Sequence, residues 1–248
     1  MLLKGKVAAI TGSAAGIGNE VARLFAAHGA SLLLLDRDPE RNRAAGAEFE
    51  KAGATVRAVD LDLRDRAAVR AAISAALDVL GKIDILINNA GVYPRRPFLQ
   101  ITEQEWDDMQ ANNLKSMFHL AQEVLPGMVT RRAGKIVNIS SVTFHLGMAN
   151  LVHYVASKGG VIGFTRSLAR EMGEHNIHVN CITPGAVLVE AERAVVTEEQ
   201  ARAWVNEQCL KRRILPTDIA RACLFLSSEL SDGVTGQTLN VDGGWVMH

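Results

Sequence analysis

Tyr154 and Lys158 stand four residues apart in a stretch, His153–Glu174, whose apolar spacing predicts a helix, so the phenol and the ammonium share one face. A phenol with its ordinary pKa of ~10 is a poor base at neutral pH, and a neighbouring cation favours the tyrosinate. The spacing therefore predicts a Tyr154 pKa pulled down by Lys158, in range for general acid–base work. A Tyr-x-x-x-Lys pair is also common on helix surfaces. Ser141, thirteen residues before Tyr154, gives the pair a direction. It follows the predicted strand Ile136–Ile139, where its hydroxyl can hold a substrate oxygen beside the phenol. Asn113 interrupts an otherwise apolar helical stretch, Trp106–Leu125, in which asparagine is a mediocre helix former. It is either a site residue or a satisfied buried polar group. Such a set suits the exchange of a proton with an alcohol or carbonyl oxygen.

A redox partner for that oxygen is legible near the N-terminus. After the first apolar run comes Thr11-Gly12-Ser13-Ala14-Ala15-Gly16-Ile17-Gly18, leading directly into a helical pattern. Glycines at such a turn let the backbone approach a pyrophosphate seated on the helix N-terminus. The spacing Gly-x-x-x-Gly-x-Gly matches the general dinucleotide fingerprint in kind only. Asp36 ends the second apolar run, 24 residues beyond Gly12, near the ~20-residue offset expected of the acid that binds the adenosine ribose. A carboxylate there accepts from both ribose hydroxyls and repels a 2′-phosphate, so the expected cofactor is NAD. Arg37 pulls the other way, but Ala14 and Ala15 offer no basic partner for a phosphate. Asp62, after the third run, is placed to accept from the adenine amino group. Asn88-Asn89-Ala90-Gly91, after the fourth, would crowd the adenosine half; each is also ordinary turn chemistry.

These groups need a scaffold, and the pattern supplies one. The runs Val7–Ile10, Leu32–Leu35, Val56–Val59, Ile83–Ile87, Ile136–Ile139, Ile177–Ile182 and Thr238–Val241 are continuous rather than alternating, as in strands buried on both faces. Between them lie the helical patterns Ile17–His28, Pro39–Ala52, Asp65–Leu80, Glu103–Thr130, His153–Glu174 and Pro216–Ser227. The expected fold is α/β: one Rossmann-like, doubly wound, seven-stranded parallel sheet in a single domain, residues 1–248. About thirty residues between Pro184 and Pro216 break the rhythm. An insertion of that size predicts a substrate lid over about 186–215.

The 27 basic and 27 acidic side chains of the 248 residues cancel, so no global field draws nucleic acid or an anionic membrane. No apolar run nears the ~18–20 residues that span a bilayer. Cys181, Cys209 and Cys223 have no metal-ligand spacing and suit reduced thiols in the cytoplasm, so no metal is expected.

Thr11–Gly18 (TGxxxGIG), Asp62, Asn88–Gly91 (NNAG), Asn113, Ser141, Tyr154-x-x-x-Lys158, Pro184-Gly185 and Val241-Asp242-Gly243-Gly244 run in one order along the chain. In them the sequence resembles the short-chain dehydrogenases/reductases of roughly 250 residues. The resemblance implies a catalytic tetrad of Asn113, Ser141, Tyr154 and Lys158. Tyr154 would be the acid/base, Ser141 would hold the substrate oxygen, and Lys158 would bond the nicotinamide ribose. Asn113 would position a water in a proton relay reaching Lys158. Gly12, Gly16, Ile17, Gly18, Asp36, Asp62, Asn89, Gly91, Pro184 and Val187 would contact the cofactor along with Tyr154 and Lys158. A homotetramer is also implied. One departure is that Val189 stands where the family commonly has a threonine.

By the same resemblance the substrate pocket would be walled by Tyr93, by Thr143, His145 and His153, and by a lid carrying Leu188, Val195, Val196 and Trp204. That is a mainly apolar set, with the arginine pair Arg95–Arg96 near its rim. Segments around Tyr93-Pro94, Thr143-Phe144, Gly159–Arg166 and Gly236–Leu239 are similar to those of the 1-phenylethanol and pyridoxal 4-dehydrogenases within the family. The expected substrate is a small secondary alcohol or its carbonyl, cyclic or aromatic. The alternatives are a 3-oxoacyl-carrier-protein reductase, a polyol or sugar dehydrogenase, and a non-catalytic NAD-binding redox sensor. Asp36 opposes the NADPH use of the first. His175 stands where carrier-binding relatives have arginine, leaving Arg131 and Arg132. The retained tyrosine and lysine oppose the sensor.

Overall fold

A computed structural model of the chain describes residues 1–193 and 196–247. Seven strands, β1 Val7–Thr11, β2 Ser31–Asp36, β3 Val56–Asp60, β4 Ile85–Asn88, β5 Gly134–Ile139, β6 Ile177–Pro184 and β7 Thr238–Val241, form one sheet in the order β3-β2-β1-β4-β5-β6-β7. Every neighbouring pair is parallel. The order turns back at β1, which pairs with both β2 and β4. A crevice therefore opens beyond the carboxyl ends of β1 and β4, where open α/β sheets take their ligands.

Ten helices surround the sheet: α1 Gly16–Ala27, α2 Pro39–Lys51, α3 Arg66–Leu80, α4 Glu103–Gln110, α5 Ser116–Arg131, α6 Thr143–Leu146, α7 Val152–Met172, α8 Glu190–Arg193, α9 Glu198–Glu207 and α10 Pro216–Ser227, counted among the described residues. Successive strand residues point to opposite faces, so each continuous apolar run feeds two cores. Ile10 and Leu34 pack with Val21 and Phe25 of α1 and Ile219 of α10 on one face. Ala9, Leu33 and Leu86 pack with Ile73 of α3 and Leu120 of α5 on the other. Phe25 and Ile73 are almost fully buried, each worth about 2–3 kcal/mol of burial.

Two departures from the expected elements bear on function. The stretch Glu103–Thr130 is not one regular helix. α4 opens with a Thr102–Glu105 capping box, and a π-helical turn, Ala111–Lys115, separates it from α5. A π turn admits an extra residue without breaking the helix and re-aims the side chains around it; Asn113 sits in its middle, fully buried. Second, the segment 186–215 contains α8 and α9, too short and polar for their periodicity to be read. Its ends meet: Val187 bridges to Ile214, the Leu188 N–H donates to the Ile214 carbonyl at 2.8 Å, and Glu192 pairs with Arg213. The segment thus leaves the sheet and returns through a closed neck.

Candidate active site

Parallel strands bring all seven carboxyl ends to one edge, and the residues singled out by the sequence follow those ends. Gly12 follows β1, Asp36 ends β2, Asp62 follows β3, Asn89–Gly91 follow β4, Ser140–Ser141 follow β5 and Pro184 ends β6. Two cavities open along this edge. The smaller, about 170 Å³, is lined by Gly12, Asp36, Arg37, Asp62, Ala90 and Gly91, among others. The larger, about 230 Å³, has Ser141, Tyr154 and Lys158 in its wall with Ile17, Asn89 and Gly91. Gly91 belongs to both, so the two lie on either side of the glycine turn.

That turn is held from β4. The Thr11 hydroxyl oxygen accepts from the N–H groups of Asn89 and Ala90, both at 2.9 Å. The Asn89 amide donates to the Thr11 carbonyl at 2.9 Å. Gly12 has φ +64°, and a Cβ on Gly18 would collide with the Gly12 carbonyl and approach Asn89 Nδ2 to 2.7 Å. Glycine is required at both positions by backbone conformation and by close approach. α1 starts with no side-chain cap and no acid in its first turn, leaving its first N–H groups free for an anion. Asp36 accepts from the Ala14 N–H at 2.9 Å and the Asp38 N–H at 3.0 Å, one to each oxygen. Its carboxylate is thereby fixed at the wall of the smaller cavity. Asp62 is gripped by Arg64 at 2.7 Å, which holds its carboxyl below the usual range. An uncapped helix end, a glycine turn and a fixed acid, flanked by two linked cavities, fit a dinucleotide laid across the sheet edge.

In the larger cavity α7 carries both Tyr154 and Lys158. Lys158 is buried, and its ammonium donates to the Ile139 carbonyl at 2.9 Å. Loss of hydration lowers its pKa to about 8. Tyr154 meets Tyr93 edge-to-face, ring centroids 6.2 Å apart. Burial pushes its pKa up to about 12, with a Ser141 hydrogen bond pulling the other way. The depression expected from spacing alone is therefore absent in the protein by itself. Lys158 points its charge toward the end of β5, 5.7 Å from the tyrosine ring centre, and desolvation dominates at the phenol. Ser141 Oγ also accepts from the Thr143 hydroxyl at 2.9 Å and the Thr143 N–H at 3.2 Å.

Asn113 lines neither cavity. Its amide oxygen accepts from the Val92 N–H at 2.8 Å, and its amide nitrogen donates to the Val92 carbonyl at 2.9 Å and Ser157 Oγ at 3.1 Å. Its side chain clamps the loop after Gly91 to α7. The satisfied-bond alternative left open by the sequence thus holds for the side chain.

Of the expected substrate wall, Tyr93, Thr143, Val196 and Trp204 line the larger cavity, as does Val187, expected at the cofactor. His145, His153 and Leu188 are not among its lining residues. His153 is buried away from it, its main chain held by Gln110 at 3.1 Å, because the helical turn carrying Tyr154 inward rotates its neighbour aside. Val195 lies outside the described residues. Val189 lines the cavity and packs over Gly16, whose Cβ would meet it at 3.4 Å. The sequence pattern missed Met148, Leu151, Glu192 and Trp245. Trp245 comes from the C-terminal end, packs its ring 5.9 Å from that of Trp204, and donates its indole N–H to Glu207 at 2.7 Å. Its position just after Val241–Gly244 was the available signal.

Comparison with known proteins agrees with this edge. Residues 12–246 match the family profile described as enoyl-(acyl carrier protein) reductase. The chain is 35% identical to a 3-oxoacyl-[acyl-carrier-protein] reductase of Chlamydia pneumoniae over 98% of its length and 97% of the relative's. It is 38% identical to the 5-keto-D-gluconate 5-reductase of Escherichia coli K12, covering 99% and 97%. The chain belongs to the short-chain dehydrogenase/reductase family. A 7α-hydroxysteroid dehydrogenase solved with NADH and 7-oxo glycochenodeoxycholic acid superposes with a TM-score of 0.95 at 36% identity, covering 99% and 96%. This short-chain dehydrogenase/reductase is thus an oxidoreductase of CH–OH or carbonyl groups with a nicotinamide cofactor. Among its described residues no helix is long and apolar enough to cross a membrane.

Proposed function

We infer that this short-chain dehydrogenase/reductase interconverts a small secondary alcohol, cyclic or aromatic, and its carbonyl with NAD(H). The observation that carries this is the convergence of Ser141, Tyr154 and Lys158 on one mainly apolar cavity, joined through Gly91 to a second cavity walled by Asp36. The bound nicotinamide supplies hydride acceptance or donation. The chain's own residues do the rest. Ser141 Oγ holds the substrate oxygen, and Thr143, donating to that same Oγ, keeps its lone pairs oriented. In oxidation the alcohol O–H proton passes to the Tyr154 oxygen while the carbinol carbon releases hydride; in reduction the phenol returns the proton.

A phenol with a pKa of about 12 is almost wholly protonated at neutral pH. Reduction, which needs the acid form, meets no ionisation cost, whereas oxidation draws on tyrosinate stabilised by Lys158 and by positive charge on the bound nicotinamide. Asn113 fixes the Val92 loop against α7, and Asp36 favours the unphosphorylated ribose. Segment 186–215 acts as the lid, with Trp204 as its contact to the substrate. Exposed Trp106, Phe118 and Val152 on the α4, α5 and α7 side support a homotetramer, and the balanced charge is in keeping with a cytoplasmic enzyme acting on small molecules.

The hydroxyacyl reading draws on the carrier-protein reductase likeness. Against it, Arg131 and Arg132 are engaged with the carbonyls of Ile83 and Glu174. A panel of aromatic, cyclic, polyol, sugar-acid and hydroxyacyl substrates, read by NADH and NADPH absorbance, tests the assignment. Turnover of the cyclic or aromatic members with NAD⁺ is expected. Preference for hydroxyacyl thioesters with NADP⁺ would overturn it.

A further inference from the structure

The charges on the wall of the larger cavity do not cancel. Lys158 is buried and bound to the Ile139 carbonyl. Glu192 is buried and paired with Arg213. Arg95 also lines the cavity, is exposed, and has no hydrogen bond or ion pair among the described residues. The adjacent Arg96 differs: its guanidinium is bound to Glu105 at 2.7 Å, and its N–H donates to the Asn150 carbonyl at 2.8 Å. The loop is therefore anchored at Arg96, and Arg95 is left in the cavity wall with its donors unused among the described residues. The cavity wall also carries apolar Met148, Leu151, Trp204 and Trp245, with the tryptophan rings packed on each other.

We propose that Arg95 binds an anionic group of the substrate, a carboxylate on an apolar ring whose body lies along Trp204 and Trp245. This deepens the alcohol–carbonyl assignment above and rests on it for the identity of the cavity. A guanidinium presents a planar fork of donors matched to the two oxygens of a carboxylate. Its carboxylate neighbour on the wall, Glu192, is neutralised by Arg213 and does not compete for it. At the Tyr93 hydroxyl burial and then Glu192 disfavour the anion, and Arg95 pulls the other way. An aromatic wall takes the ring by stacking and area burial. The cavity then reads a substrate by three features: a carbinol at Ser141 and Tyr154, a flat apolar body, and an anion at the exposed end.

The test compares two ketones that differ only in the charge, acetophenone and 4-acetylbenzoate, binding to the enzyme–NADH complex. Quenching of tryptophan fluorescence reads binding directly, since two of the three tryptophans line the cavity. The carboxylate is expected to bind on the order of tenfold tighter at low salt, and the advantage should shrink as ionic strength rises. In Arg95→Leu the ratio between the two ketones should fall to about one, and Arg95→Lys should restore part of it. Equal affinities in the wild type, or an advantage that survives Arg95→Leu, would overturn the proposal. Reduction of the ketones is followed separately. Tighter, Arg95-dependent binding without turnover would keep Arg95 as an anion site and reject the assigned reaction, so the two failures are told apart.

Discussion

Replacing Lys158 by methionine should make the protein more stable at neutral pH while disabling it. The ammonium is buried, and its pKa falls from 10.5 to about 8. That depression means the fold disfavours the cation by about 3 kcal/mol, at 1.36 kcal/mol per pH unit. Methionine has a similar length and no charge to desolvate. It loses the 2.9 Å hydrogen bond to the Ile139 carbonyl, which costs about 1 kcal/mol. The net expectation is a gain of about 2 kcal/mol at pH 7, or roughly 4–8 °C in Tm for a chain of this size.

The sign of the pH dependence follows from proton counts. Between pH ~8 and ~10.5 the unfolded lysine holds its proton more than the folded one does, so wild-type stability from this group rises with pH and is lost on acidification through pH ~8. The advantage of Lys158→Met should therefore be full below about pH 8 and vanish or reverse near pH 10.5. The shift at Tyr154 acts equally in both proteins and drops out of the difference. Thermal melts of both proteins without cofactor, from pH ~7 to ~10, measure it. A variant less stable than wild type at neutral pH, or a difference that does not change with pH, would refute the buried-cation argument. The same variant should bind NAD⁺ more weakly and shift the rising limb of the oxidation rate to higher pH.

Tyr154→Phe keeps the ring contact with Tyr93 and removes only the proton-carrying oxygen, so kcat should drop about 10²–10⁴-fold while melting temperature and NADH fluorescence titrations change little; near-wild-type turnover would exclude Tyr154 as the acid/base. Asp36→Ala removes the ribose acceptor and the repulsion of a 2′-phosphate, and the ratio of kcat/KM with NAD(H) to that with NADP(H) should narrow or invert; a wild type that already prefers NADP(H) would contradict the role given to Asp36. Gly18→Ala drives a methyl against the Gly12 carbonyl and Asn89, and chemical denaturation should record a loss of roughly 2–3 kcal/mol, with weaker dinucleotide binding. No loss in either would mean the turn tolerates a side chain.

Much of this architecture is local in origin and was legible as such. The apolar runs announced all seven strands, and β1, β2, β4, β5 and β6 are mostly buried as expected, because helices on each side of a parallel sheet cover them. The edge strands β3 and β7, which carry Arg57 and Asn240, are only partly buried. Gly12, Gly16 and Gly18 mark a turn whose geometry depends on a few consecutive torsions. The four-residue step from Tyr154 to Lys158 sets a shared helix face whatever else the chain does. Ser141 and Asp36 were placed by the simple fact that parallel strands end together.

Properties arising from several distant segments were decided only by the tertiary structure. The Tyr154 pKa depends on how much water the fold removes and on where the Lys158 ammonium turns; it turned to the Ile139 carbonyl, so burial won. Asn113 spends its amide on Val92 because a π turn, invisible in the periodicity, aims it at that loop. His145, His153 and Leu188 share segments with lining residues but are not among them, as adjacent residues on a helix or extended chain diverge in direction. Trp245, more than 90 residues from Tyr154, reaches the same cavity because β7 lies beside β6 in one parallel sheet and its carboxyl end meets the returning segment 186–215.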